Sequence, residues 1–442
     1  MGAPLLQRYG NFVLLRLIGT GDVAETFRAK VAAAKGLDRD VAVKRLLPRF
    51  AEDISFVEVF ASEATAATKL THKNIVRVFE VGVVGASCFI AMELVDGVHL
   101  GAVAERAAAA GRPLTPAQCA RIASGVAGAL HHIHTRRHRD QALNLVHRDV
   151  SPTNILVEWT GEVKLTDFGI ARAKQRLTQT QAGLVRGKCE YASPEQVGGQ
   201  AIDGRADLFS LGIVLWELLA GRRLFAADNE YDTLKAVLKG DIPSLREVNP
   251  AVPEELDRIL SRLLERDLER RTSSAGELQH ELDRFCAALE PASPEGTLGE
   301  LVQDLFGDDI REQFRLQTEE REAYHAFLEA NNSLAAPVEI AEVEVADAPP
   351  SPTPPPQPPL SATPATPPTP REDAAAPPRP SPAASPPAAL DVPADVEPPA
   401  DMDTEEEAAT KSRVGAWLGV ITLGGIAAAL IWYYVQLVWA PG

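Results

Sequence analysis

The run His147-Arg148-Asp149-Val150-Ser151-Pro152-Thr153-Asn154 puts a carboxylate and a carboxamide five positions apart. Asp149 can accept the proton of an attacking hydroxyl, and Asn154 can ligate a metal. Asp167-Phe168-Gly169 follows, and its carboxylate can hold a divalent cation that bridges two phosphates. Upstream, Ile18-Gly19-Thr20-Gly21-Asp22-Val23-Ala24-Glu25-Thr26 lies between two strand-like patterns. Its glycines let backbone N–H groups approach phosphate oxygens, although the same string fits an ordinary hairpin. Val41-Ala42-Val43-Lys44 reads as a strand ending in an ammonium group within reach of the same phosphates. Glu63 falls on a predicted helix and can hold Lys44 toward them as an ion pair.

In this order and spacing the strings resemble the eukaryotic-like Ser/Thr protein kinases, and most of all the bacterial members. The resemblance covers residues 9–285. It implies an α+β, two-lobed protein kinase fold, with a small lobe of β-sheet plus one helix and a mainly helical large lobe. It also implies ATP as phosphoryl donor, Mg (or Mn) as cation, and protein substrates. Carried over by position, Ile18, Gly19, Gly21, Ala24 and Thr26 belong to the phosphate loop and the cover of the adenine. Ala42 joins that cover, and Lys44 with Glu63 forms the ion pair. Met92 is the gatekeeper, Glu93 to Val95 the hinge that bonds adenine, and Leu156 the floor of the pocket. Asp149 is the catalytic base, and Asn154 and Asp167 are the metal ligands. Asp207 braces the catalytic loop, while Glu195 and Arg271 form a structural pair. Thr178 and Thr180 are candidate phosphosites, since a phosphate there would pair with Arg148. The alternative is that they are plain loop threonines.

Four positions depart from the family pattern. Ala24 replaces the third glycine, and Thr26 puts a hydroxyl where an apolar side chain usually covers adenine. Ser151 replaces the lysine that usually contacts the γ-phosphate, and Lys188 replaces a threonine near the substrate. Thr26, Ser151 and Lys188 motivate a second reading, a pseudokinase scaffold that binds nucleotide and partners without catalysis. A small-molecule phosphotransferase is a third. His138-Arg139-Asp140 repeats the catalytic triplet, but position 145 is Leu and no D-F-G follows at the matching distance, so it reads as a charged loop.

The elements that must position these groups follow from periodicity. Strands are expected over Phe12–Ile18, Val41–Lys44, Ile75–Val84 and Cys88–Leu94, with a helix over Ile54–Leu70 and helices predominating from Pro116 to Cys286. Strands first and helices afterwards indicate two lobes rather than a doubly wound sheet. Residues 286–330 read as a charged helical extension, a helical pair docked on the core.

The 442 residues carry a net charge of −17, and the acidity lies late in the chain. Residues 1–290 hold 37 basic and 37 acidic side chains, which offers no basic surface for nucleic acid. Four scattered cysteines exclude a disulfide scaffold and fit a reducing compartment. Residues 331–410 hold 22 of the 34 prolines and 14 acidic side chains, a composition expected to stay an extended, disordered spacer. Residues 414–440 are free of charge and long enough to cross a bilayer, with Lys411 and Arg413 just before them. The positive-inside rule then places the kinase domain in the cytoplasm, on a single-pass inner-membrane protein. A homodimer formed through this helix is a further expected partner.

Overall fold

The small lobe is built on an antiparallel sheet of β1 (Gln7–Tyr9), β2 (Phe12–Thr20), β3 (Ala24–Val31), β4 (Asp40–Leu46), β5 (Val78–Val84) and β6 (Ser87–Glu93). The computed structural model describes residues 5–31, 39–138, 141–168, 189–225, 227–289, 296–331 and 341–342. A two-residue strand, Ala341–Glu342, completes the sheet order β1-β2-β3-β4-β6-β5 by pairing with the β5 edge.

Strand alternation sorts the side chains onto two faces. Phe27, Ala29, Val41, Val43, Phe89 and Ala91 pack with Phe12 and Tyr9 on one face. On the other, Ala24, Leu46, Cys88 and Ile90 meet α2 (Ile54–Ala67), after the short α1 (Pro48–Ala51). Asp53 starts α2 by accepting from the Phe56 N–H, and Phe56, Phe60 and Ala64 recur at helical spacing to fill that interface. β2 is buried through Leu15 and exposed from Leu17 onward, so it leaves the core where the glycine turn begins.

The large lobe packs α4 (Pro116–Thr135) against α6 (Gly204–Ala220), with α3 (Leu100–Ala109) ahead of α4 and α5 (Pro194–Val197) ahead of α6. α7 (Glu230–Lys239), α8 (Leu245–Val248), α9 (Glu254–Leu263) and α10 (Ala275–Leu289) close around them. α6 is buried over every position from Ala206 to Trp216, as befits a helix apolar all round. Its last turn stops at Gly221, whose φ of 65° suits glycine. Between β6 and α6 in the chain lie the strands that carry the chemistry. β7 (Gly97–His99) pairs with β10 (Ile155–Glu158), and β10 with β11 (Val163–Leu165). β8 (Arg137–His138) and β9 (Gln141–Ala142) pair antiparallel beside the second H-R-D string.

The extension is one element, α11 (Leu298–Ala330), divided at Phe306, where φ −117° and ψ 19° leave the helical region. A capping box between Thr297 and Glu300 starts it. Leu298, Leu301, Val302 and Phe306 join the large-lobe core. Most of the expected linker, the charge-free run 414–440, and Thr178, Thr180 and Lys188 lie outside the described residues. Among the described residues no helix is long and apolar enough to cross a membrane.

Candidate active site

The catalytic string forms a tight loop folded over one buried carboxylate. Asp207, near the start of α6, accepts from the His147 N–H (2.8 Å) and the Arg148 N–H (2.7 Å). Two successive N–H groups converge because Arg148 takes a φ of 67°, a conformation that costs a non-glycine residue about 1–3 kcal/mol. His134 Nε2 lies 2.8 Å from Asp207 Oδ2. Burial alone would raise the Asp207 carboxyl. The hydrogen bond and charge of His134 and the His147 N–H outweigh it and hold the group below the usual carboxylate range.

His147 is buried and its tautomer is set by its partners. Its Nδ1 accepts from the Asp149 N–H (3.3 Å), and its Nε2–H donates to the Thr166 carbonyl (3.0 Å). Its ring meets Phe168 edge-on at 5.9 Å. Asn154 Nδ2 donates to the Asp149 carbonyl (2.7 Å), and the Asn154 carbonyl accepts from the Thr166 N–H (2.9 Å). One chain of hydrogen bonds thus joins Asp149, Asn154 and the strand end that presents Asp167. Asp167 itself has a φ of 63°, a second strained position beside a chemical group.

Lys44 arrives from the small lobe and its Nζ lies 2.6 Å from Asp167 Oδ1. A Lys44–Glu63 pair is not among the ion pairs of the described residues. The ammonium therefore sits on the would-be metal ligand, and Ala67 at the end of α2 lines the same cavity. Because Asn154 spends its amide nitrogen on Asp149, its oxygen is the atom suited to ligation. An amide oxygen and a carboxylate are hard donors, which fit Mg²⁺ better than a soft ion.

The apolar half of the site is a small cluster between the lobes. Ala42, Val76 and Met92 pack with Val78, Leu94, Val95 and Leu156. Ala42 stands directly across from Met92, and Thr26 across from Gly19 and Lys44. Leu94 and Val95 follow β6 outside its ladder, while the Glu93 side chain is tied to Lys164 (3.0 Å). A small cavity continues behind Met92, lined among others by Lys44, Leu70, Ile90, Asp167 and Phe168. Gly21 N–H donates to the Ala24 carbonyl (2.9 Å) and closes the glycine turn, and Ile18 stands 42% exposed at its edge. Ala24 is covered by α2, so only its backbone can face a phosphate. Ser151 is buried, with its hydroxyl 3.3 Å from that of Thr153, and supplies no charge.

Glu195 and Arg271 form a buried two-pronged pair, at 2.7 and 3.1 Å. Val76 and Val78 carry no signal in the sequence, where they look like any apolar strand residue. Gln196 also escaped notice, yet its amide donates to the Arg148 carbonyl (3.0 Å) and ties α5 to the catalytic loop.

Residues 12–282 match the protein kinase domain family. The chain belongs to that family. It is 38% identical over 318 residues to the tyrosine-protein kinase MasK of Myxococcus xanthus, a match over 71% of this chain and 49% of that one. It is 34% identical over 273 residues to the serine/threonine-protein kinase PrkC of Bacillus subtilis, over 62% and 40% of the two chains. The crystal structure of the Mycobacterium tuberculosis PknI kinase domain superposes with a TM-score of 0.50 at 26% identity, covering 64% of this chain and 99% of that domain. The chain spans about half or less of the length of these curated relatives.

Proposed function

We propose that the chain is a bacterial protein kinase that transfers the γ-phosphoryl group of ATP to serine or threonine hydroxyls of proteins. The observation that carries this reading is the hydrogen-bond chain that holds Asp149, Asn154 and Asp167 together under Lys44. Asp149 takes the proton of the acceptor hydroxyl. Lys44 turns from Asp167 to the α- and β-phosphates when ATP enters, with Glu63 as its new partner. A cation held by Asn154 and Asp167 would neutralise charge on the β- and γ-phosphates. Such a retained set argues against a scaffold without catalysis.

Autophosphorylation of Thr178 or Thr180 completes the proposal, since a phosphate there would neutralise Arg148 beside the catalytic base. The charge-free run 414–440, with Lys411 and Arg413 ahead of it, supports a tether to the inner membrane that leaves the kinase domain on the cytoplasmic side.

The test is the full chain with Mg-ATP, beside Asp149→Asn, followed by phosphopeptide mapping and phosphoamino-acid analysis. Phosphothreonine at 178 or 180, lost in the variant, is expected. General-base loss is expected to slow transfer by about 10²–10⁴-fold. Phosphotyrosine alone would replace the serine/threonine reading. No phosphate in either protein, with ATP still raising the melting temperature, would return the scaffold.

A further inference from the structure

The glycine turn rests on a strand pair with an electrostatic conflict. The β2–β3 register sets Arg16 directly opposite Arg28. Like charges in that relation push strands apart. Arg28 is also almost wholly buried, 4% exposed, and a buried cation needs a counter-charge held in place. Asp40 of β4 supplies one, 2.5 Å from the Arg28 guanidinium. The other comes from outside the residues that match the kinase family. Glu320 of α11 lies 2.6 Å from Arg16 Nε through one oxygen and 3.0 Å from Arg28 Nε through the other, and its own side chain is 4% exposed. One carboxylate thus joins both strands of the hairpin just behind the phosphate turn.

The position matters because of which face α11 covers. Ala24, Thr26, Arg28 and Lys30 alternate onto one face of β3. Ala24 meets α2, and Thr26 pairs with Lys44 at the cleft. Arg28 and Lys30 meet α11. The helix therefore occupies the continuation of the surface that faces the nucleotide site.

α11 also holds the hinge and the large lobe. Tyr324 packs on Val13 and Leu15 and donates to the Val31 carbonyl (3.2 Å). Toward the N-terminus of the helix, Gln317 and Gln313 donate to Oδ1 of Asp96, the residue just after the hinge, at 3.0 and 2.5 Å. Earlier still, the Phe306 ring meets Trp159 at a 38° tilt, 5.9 Å away, against the large-lobe core.

We propose that α11 is an interlobe clamp belonging to the catalytic unit, and that Glu320 is its positioning residue. By neutralising Arg16 and Arg28 together, Glu320 sets the orientation of the glycine turn over the phosphates of the nucleotide. This rests on the reading that the cleft binds Mg-ATP.

The test compares the full chain with Glu320→Gln, Glu320→Asp and, as a milder break at the more exposed end, Arg16→Gln. Three quantities are read: the dissociation constant of fluorescent N-methylanthraniloyl-ADP with Mg²⁺, the melting temperature without nucleotide, and hydrogen exchange of residues 17–26. Glu320→Gln is expected to weaken nucleotide binding by about tenfold and to speed exchange in 17–26 but not in α9. Glu320→Asp is expected to restore most of both, and Arg16→Gln to show a smaller loss. A lower melting temperature with binding within about twofold of wild type and unchanged exchange in 17–26 would make Glu320 merely structural and overturn the proposal. Should the wild type itself bind no nucleotide, the reading of the cleft fails. The exchange measurement still decides the clamp, and Arg16→Gln decides it if the Glu320 variants do not fold.

Discussion

Replacing Arg271 by Met removes a guanidinium and keeps most of its stem. Arg271 is fully buried and donates to both oxygens of Glu195, to the Glu265 carbonyl (2.7 Å) and to the Arg205 carbonyl (3.0 Å). The variant leaves the Glu195 carboxylate buried without its cation, a break that typically costs about 3–5 kcal/mol. The charge part of that cost has a ceiling, because Glu195 can take up a proton instead. At pH 7 protonating a glutamate of ordinary pKa costs about 4 kcal/mol, and the cost falls by about 1.4 kcal/mol per pH unit toward acid. In the variant the folded Glu195 then holds a proton that the unfolded chain lacks, so the variant loses stability as pH rises. Relative to wild type, the deficit should be about 4 kcal/mol at pH 7 and about 1 kcal/mol at pH 5, with lost carbonyl bonds added at both. Glu195→Gln combined with Arg271→Met has no orphan charge and should recover about 2 kcal/mol at pH 7 with little pH dependence. Urea unfolding followed by tryptophan fluorescence at several pH values reads all of this. A deficit below about 1 kcal/mol, or one that stays constant from pH 5 to 7, would refute the reasoning.

Gly299→Ala places a Cβ 2.4 Å from the Thr160 carbonyl oxygen, so the first turn of α11 must move off the β10–β11 turn. A loss of about 1–3 kcal/mol, seen as a lower melting temperature, is expected, and an unchanged melt would contradict the close packing of Gly299 on Gly161. Burial raises the Glu217 carboxyl to about 7, with the charge of Glu190 adding and the Leu224 N–H opposing. Arg223, 3.2 Å away, is half exposed and shared with Glu190, which limits its pull. The folded group keeps its proton while the unfolded one loses it, so stability should fall as pH rises from about 4.5 to 7; Glu217→Gln should flatten that slope in thermal melts. Asp207 has the opposite sign: its depressed carboxyl adds stability above the ordinary aspartate range that is lost as pH falls below it. Asp207→Asn should lower stability at pH 7 and show less further loss on acidification.

Much of the chemistry was legible because it depends on local strings. The glycine turn, the strand that ends near Lys44 and the loop from His147 to Asn154 need only short-range geometry, and each carries its signal within ten residues. Helix α2 was readable for the same reason, although it stops at Ala67 rather than Leu70. β5 begins at Val78 rather than Ile75, because Ile75 makes a single bridge to Leu165 instead of entering the sheet. The apolar half of the cleft was harder to read. Val76 and Val78 are indistinguishable from core residues until the hinge brings Leu94 and Leu156 against them.

The amino-acid sequence by itself determined the family, the order of the lobes and the groups able to do chemistry. Those follow from residue type and spacing, which no distant contact can change. The tertiary structure decided which charges meet. Alternation along β3 sets Phe27, Ala29 and Val31 on one face and Thr26, Arg28 and Lys30 on the other, and pattern alone would give the polar face to solvent. In the fold Arg28 is buried, because α11 crosses the hinge and brings Glu320 to Arg16 from 304 positions away. Lys44 likewise faces Asp167 across 123 positions. Charge pairing acts through space at a few ångströms, so its partners are set only once both lobes and α11 have closed on one another.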